Sequence, residues 1–354
     1  MGTRAVALIA VLFSACVMPM QPAQADSSDC TPGGPFDPTN PASSGYSLVF
    51  TDDFTNSQTI DLNATGNAGF NWYLTKFFGY GTEAASTIAL TPDGLVLTPS
   101  NDVGGNWNIA TAAPASNTQG YVGNVFGGGA YFEAKIKFDP TTVNFSQGFP
   151  AFWGFSIEHA ANMGADHPAG TPAGFQHFIE DDFFEFDIHD NNGVASPTAY
   201  GAALHDWYGI FSSTCQEGYR AGLPGFCDVT NNGVGTNYNN FVSTNRNNAT
   251  IDWTQWHIIG QLWVPGERQH PLGYVQNFID GQPAYAYGGT GKFTPLSKTG
   301  WVDIFAVPYM DPFNRPTAFS VLDSDHLMII LGTGPGQPFT VGYVKVWQLP
   351  GCAK

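Results

Sequence analysis

Tyr131-Phe-Glu-Ala-Lys-Ile-Lys-Phe138 alternates without a break. Phe132, Ala134, Ile136 and Phe138 form one set, and Tyr131, Glu133, Lys135 and Lys137 the other. Successive side chains of a β-strand point to opposite faces, so this pattern describes an antiparallel strand half in a core and half toward solvent. The same vocabulary recurs on both sides of it. Upstream lie Tyr46-Ser-Leu-Val-Phe-Thr51 and, after the turn Pro92-Asp93-Gly94, Leu95-Val-Leu97. Downstream come Trp256 to Trp263, Gly273 to Ile279 with its closing turn Asp280-Gly281, His326 to Leu331, and Thr340 to Gln348. Asn192-Gly193 and Asn232-Gly233 are further turn dipeptides. Helical periodicity is almost absent. Many short strands joined by Gly and Pro turns specify an all-β sandwich or barrel.

Composition supports that reading and removes several function classes. The chain has 354 residues, with 42 Gly, 25 Pro and 14% aromatics. It is too aromatic for a disordered chain and too poor in Lys, Glu and Arg for a coiled coil. Lys and Arg number 12 against 29 Asp and Glu, a net charge of −17. So few cations make nucleic acid and anionic lipid poor partners. No internal repeat or linker divides the chain, so a single β domain is expected, functioning as a monomer.

The N-terminus reads as an export signal. Arg4 supplies the positive charge, Ala5 to Met18 is apolar apart from Ser14, and Ala23-Gln24-Ala25 has the small-x-small form of a cleavage site. The apolar run is short for a bilayer-spanning helix. Cleavage after Ala25 predicts a secreted or periplasmic protein with no membrane attachment. The organisation expected is then a signal peptide over 1–25, a Pro- and Ser-rich lead-in over 26–44, and the β domain over 45–354. Cys16 would leave with the signal. The remaining four cysteines suggest two disulfides in an exported chain, with three pairings open. Preferred are Cys215–Cys227, which closes a short Gly-rich loop, and Cys30–Cys352, which ties the two ends together.

The stretch that carries chemistry is Phe178-Ile-Glu-Asp-Asp-Phe-Phe-Glu-Phe-Asp-Ile-His-Asp190. A charged turn would not hold so many Phe and Ile, and a plain core strand would not hold so many acids, since unpaired buried charge is costly. A strand with its apolar face in the core and its carboxylates along a cleft satisfies both. Glu180 and Asp182 share a face by spacing. Glu185 would point away in a regular strand, and one extra residue near Phe183-Phe184, a β-bulge, returns it. Carboxyls held close cannot all ionise, so one keeps its proton. One ionised carboxylate and one protonated carboxyl are what glycosidic hydrolysis requires. A second register, Glu185-x-Asp187-x-x-Asp190, competes, and there His189 would share the face of Glu185 and Asp187. Glu158, His159, Asp166 and His167 match no familiar metal spacing and read as a solvated polar loop.

Glu180-x-Asp182-x-x-Glu185 resembles the catalytic strand of the family 16 glycoside hydrolases, the laminarinase, lichenase and agarase group. Other segments resemble that family in order: Leu48-Val-Phe-Thr-Asp-Asp-Phe54, Gly129 to Lys137, Gly148-Phe-Pro-Ala-Phe-Trp153, Leu204-His-Asp-Trp207, Trp256 to Gly281, and Val341 to Trp347. The resemblance implies a concanavalin A-like β-jelly-roll sandwich of two antiparallel sheets. It implies Glu180 as nucleophile, Glu185 as general acid/base and Asp182 between them as a tuner of their protonation. It also implies a retaining mechanism, with carboxyl groups about 5–5.5 Å apart. Trp153 and Trp207 become candidate stacking platforms for sugar rings, and His205 a hydrogen-bonding group in a subsite.

Two positions depart from the family pattern. Asp181 occupies a place that the family gives to an aliphatic, core-facing residue, and a carboxyl there needs a partner. Some family members also hold a structural Ca²⁺. Asp52 and Asp53 are the candidate ligands, but Gly342 stands where the closing strand often has Asp. No cofactor is required for the chemistry itself. Scarce cations favour a neutral β-linked glycan, a β-1,3- or mixed β-1,3-1,4-glucan or a galactan, over a sulfated or uronate polymer. A non-catalytic lectin on the same fold is the competing class.

Overall fold

A computed structural model describes residues 30, 32–74, 85–99, 107–116, 120–161, 175–186, 200–211, 226–227, 251–265, 274–284, 301–302 and 325–352. In chain order, β1 spans Ser47–Asp52, β2 Ile60–Asp61, β3 Trp72–Leu74, β4 Ile88–Thr91 and β5 Gly94–Leu97. Next come β6 (Trp107–Ala110), β7 (Ala112–Pro114), β8 (Tyr121–Gly123), β9 (Ala130–Phe138) and β10 (Ala151–Ser156). The helical turn α1 (Ile157–Ala160) leads to β11 (Phe175–Glu185), β12 (Gly201–Phe211), β13 (Phe226–Cys227) and β14 (His257–Val264). The rest are β15 (Tyr274–Ile279), β16 (Gln282–Pro283), β17 (Trp301–Val302), β18 (Leu327–Thr333) and β19 (Phe339–Gln348). Among the described residues no helix is long and apolar enough to cross a membrane.

The strands form a jelly-roll sandwich. The nine-stranded sheet runs β16-β15-β14-β9-β19-β5-β4, with β1 on β19 and β17 on β15. The eight-stranded sheet runs β13-β12-β11-β10-β18-β6-β3-β2. Pairing is antiparallel throughout apart from β2 with β3. β9 and β11 sit near the middle of their sheets and meet across the core. The Phe132 ring stacks on Phe183 with centroids 4.6 Å apart and planes 12° apart.

The turns match their residues. Asp280 and Gly281 take φ of 50° and 73°, the paired left-handed conformation that a two-residue hairpin requires. At Gly94 a side chain would run into the Val341 carbonyl of the adjacent strand, so the β4–β5 turn needs a residue without Cβ.

The alternation on β9 holds on its inner face: Phe132, Ala134 and Ile136 are fully buried and Phe138 nearly so. Its outer face is not uniformly solvent-exposed. Tyr131 is 1% exposed because the segment before β1 crosses it, with Phe36 packing on Tyr131, Tyr46 and Phe278. This segment is pinned at its start. Cys30 and Cys352 form a disulfide across 322 residues of chain, with Cα atoms 5.5 Å apart. Cys215, residues 1–25, Asp166 and His167 lie outside the described residues, as does the side chain of Cys227.

Candidate active site

The eight-stranded sheet turns one face to the core and one away from it, and β11 decides what stands on each. Opposite β12, Asp182 faces Ala203 and Glu185 faces Gly201, so three steps on β11 match two on β12. Opposite β10, Asp182 faces Trp153 and Phe184 faces Phe152, which leaves Phe183 as the extra residue. This is a β-bulge at the place where the acidic pattern needs one. Phe183 and Phe184 both enter the core, beside Phe152 and Trp253 respectively. The phase of the strand therefore changes between Asp182 and Glu185. Glu180, Asp182 and Glu185 end on the outer face together.

Residues opposite one another in an antiparallel ladder share a face. The outer-face partners on β10 are Phe155 for Glu180, Trp153 for Asp182 and Ala151 for Glu185. On β12 the register sets His205 opposite Glu180 and Trp207 opposite Phe178. His205 and Trp207 thus occupy outer-face positions, while the conformations of their side chains lie outside the described residues. So do Asp187, His189 and Asp190, the remainder of the second register. Asp182 is 2% exposed, and Glu180 and Glu185 are half-buried.

Trp153 stands on the expected face but is only 6% exposed, packed edge-on against Phe155 at 5.8 Å. It joins Ala110, Ile330 and Met328 in an apolar cluster on the outer face of the sheet.

Asp181 points the other way. It is fully buried, and the Gln261 side chain of β14 donates a 3.1 Å hydrogen bond to its Oδ1 across the sandwich. The core-facing carboxyl has the partner its position demands.

One group escaped the sequence reading. Glu158 is not solvated: it is 5% exposed, and its Oε1 lies 2.6 Å from His326 Nδ1. Its Oε2 accepts from the His326 backbone N–H at 3.1 Å and from the Ser156 hydroxyl at 3.3 Å. The neighbouring His159 stacks on Phe178 at 3.5 Å. Glu158 and His326 are 168 residues apart in the chain, so no local pattern could pair them.

Asp52 is equally engaged. Its carboxylate accepts from Phe54 N at 2.8 Å, Asn71 Nδ2 at 3.0 Å and Trp72 Nε1 at 3.2 Å. Asp53 accepts from the Thr55 hydroxyl and backbone N–H, which hold its pKa below the usual carboxylate range. Among the described residues no group of three or more His, Cys, Asp or Glu converges on one point.

No family model matches the chain, and no curated protein sequence does. Solved structures match at low similarity. The endo-1,3-beta-glucanase from Streptomyces sioyaensis is 18% identical, over 90% of this chain and 99% of that one, with a TM-score of 0.41. The endo-beta-1,3-glucanase from Pyrococcus furiosus is 14% identical, over 86% and 94%, with a TM-score of 0.34. The PL-14 alginate lyase from Aplysia kurodai is 11% identical, over 75% and 88%, with a TM-score of 0.30. Likeness at this level carries no argument about activity.

Proposed function

We propose that the chain is an exported, monomeric, retaining endo-glycosidase that hydrolyses a neutral β-linked polysaccharide. A β-1,3- or mixed β-1,3-1,4-glucan is the favoured substrate, with a galactan next. The observation that carries the reading is the bulge at Phe183, which sets Glu180, Asp182 and Glu185 on one face. In this reading the Glu180 carboxylate attacks the anomeric carbon while the Glu185 carboxyl gives its proton to the leaving glycosidic oxygen. The glycosyl ester on Glu180 is then cleaved by water, which Glu185 deprotonates as base. Asp182 lies between them on the same face. His205 and Trp207 would contact the sugar from β12. No cofactor enters any step.

Scarce cations support a neutral glycan: the whole chain has 12 Lys and Arg against 29 Asp and Glu. The lysines among the described residues, Lys135, Lys137 and Lys345, all lie on β9 and β19. They alternate with the core-facing Ala134, Ile136, Val344 and Val346, so they sit on the outer face of the other sheet. Anionic polymers would need cations beside the carboxylates.

The test is sugar release from laminarin, lichenan and agarose by the wild type, Glu180→Gln and Glu185→Gln. Release by the wild type with a loss of about a thousandfold or more in each variant supports the assignment. Binding without release in the wild type favours the lectin.

A further inference from the structure

Three consecutive acids, Glu180-Asp181-Asp182, leave the strand a choice. In one phase Asp181 enters the core and its neighbours face out. In the other, Asp181 faces out and two carboxyls are buried. A one-residue slip exchanges the phases, burying an extra acid and turning Ile179 and Phe183 out of the core. The observed phase is held from the opposite sheet. Gln261 on β14 and Phe132 on β9 are directly opposite each other in the ladder. Gln261 bonds Asp181 at 3.1 Å, and Phe132 stacks on Phe183 at 4.6 Å. One cross-strand pair therefore grips both inward side chains that flank Asp182. Gln261 is 1% exposed and Asp181 is fully buried, so water does not compete for the bond.

We infer that Asp181 is a positioning residue: its hydrogen bond to Gln261 fixes the phase of β11 and so aims Glu180 and Asp182 at the substrate. This rests on the hydrolase reading for its consequence in catalysis, but not for its consequence in strand order. The aliphatic residue that the family pattern places here would pack without selecting among three acids. Asp181 selects, because the core-facing phase gives its carboxyl a buried donor from the opposite sheet.

The experiment uses the full chain with Asp181→Asn, Asp181→Leu, Gln261→Leu and the double variant Asp181→Leu/Gln261→Leu. Steady-state kinetics on a soluble β-1,3-glucan are combined with backbone hydrogen exchange resolved to β11. Asp181→Leu fills the core and should keep the fold. It is expected to lower kcat by about ten- to a hundredfold with little change in KM, and to shift the pH–rate profile. Amide exchange should quicken in β11 while β9 and β19 stay protected. Asp181→Asn keeps an acceptor for Gln261 and is expected to recover most of kcat. The double variant should be no worse than the poorer single one. A wild-type kcat, pH profile and β11 exchange rate in Asp181→Leu would overturn the inference, as would additive losses. If the wild type releases no sugar but Asp181→Leu still quickens exchange in β11, the hydrolase reading fails and the strand lock stands.

Discussion

β9 and β11 touch through one aromatic stack, yet they use the same alternation to opposite ends. β9 keeps a strict period of two over its whole length, and its outer face is partly roofed by the segment around Phe36 and Tyr46. β11 breaks the period once, at Phe183, and that break carries its acids to one side. The comparison teaches that regularity builds the core while a single inserted residue builds the site. A bulge costs ladder hydrogen bonds, and here two Phe side chains entering the core offset that cost.

The sharpest way to break the comparison is to make β11 regular. Deleting Phe184 removes the extra residue and leaves Asp182 and Glu185 two apart on the same face, so activity on glucan should survive in a strand without a bulge. A deletion variant that is folded by circular dichroism but inactive would show that the bulge does more than set the face.

The shared stack comes next. Phe183→Ala and Phe132→Ala should each destabilise by about 3–5 kcal/mol, read from denaturant midpoints. The double variant should lose less than the sum, because the rings lose the same contact.

The roof over β9 is tested by Cys30→Ser/Cys352→Ser. Loss of the cross-link should cost about 2–5 kcal/mol and expose Tyr131 and Phe36 to solvent. Near-ultraviolet dichroism should change, while sugar release at low temperature should be kept, since the roof lies on the sheet away from the acids.

The smallest effect lies at the edge of β14. His257 Nδ1 sits 2.8 Å from Asp280 Oδ2, and this bond, against some burial, raises the His257 pKa. Burial alone would raise Asp280, but His257 and the Ile258 N–H outweigh it and hold Asp280 below the usual range. The His257 contribution is full below its unfolded pKa of about 6.5 and fades as pH rises through the higher folded value. The Asp280 contribution is full above about 3.9 and fades as pH falls through its lower folded value. Stability from the pair is thus greatest from about pH 4 to 6.5 and amounts to about 1 kcal/mol or less, because Asp280 is half exposed. His257→Gln should lower the melting temperature slightly within that window and remove the decline as pH rises above about 6.5.

Much of this was legible in the chain. The alternation from Tyr131 to Phe138, the turn at Asp280-Gly281 and the need for an extra residue near Phe183 are local facts. Each is set by the period of a strand or by the φ angles a turn demands. The face taken by each of the three consecutive acids 180–182 depends on more than the strand itself. Gln261 and Phe132, which we infer to hold that choice, meet the strand only once the sheets have stacked. The burial of Tyr131, the edge-on packing of Trp153 and the pairing of Glu158 with His326 share this origin. A strand's own residues determine which side chains can lie on the same face. Which of the two faces meets the core, and what waits there to bond a carboxyl, depends on residues distant in the chain, and folding alone brings them together.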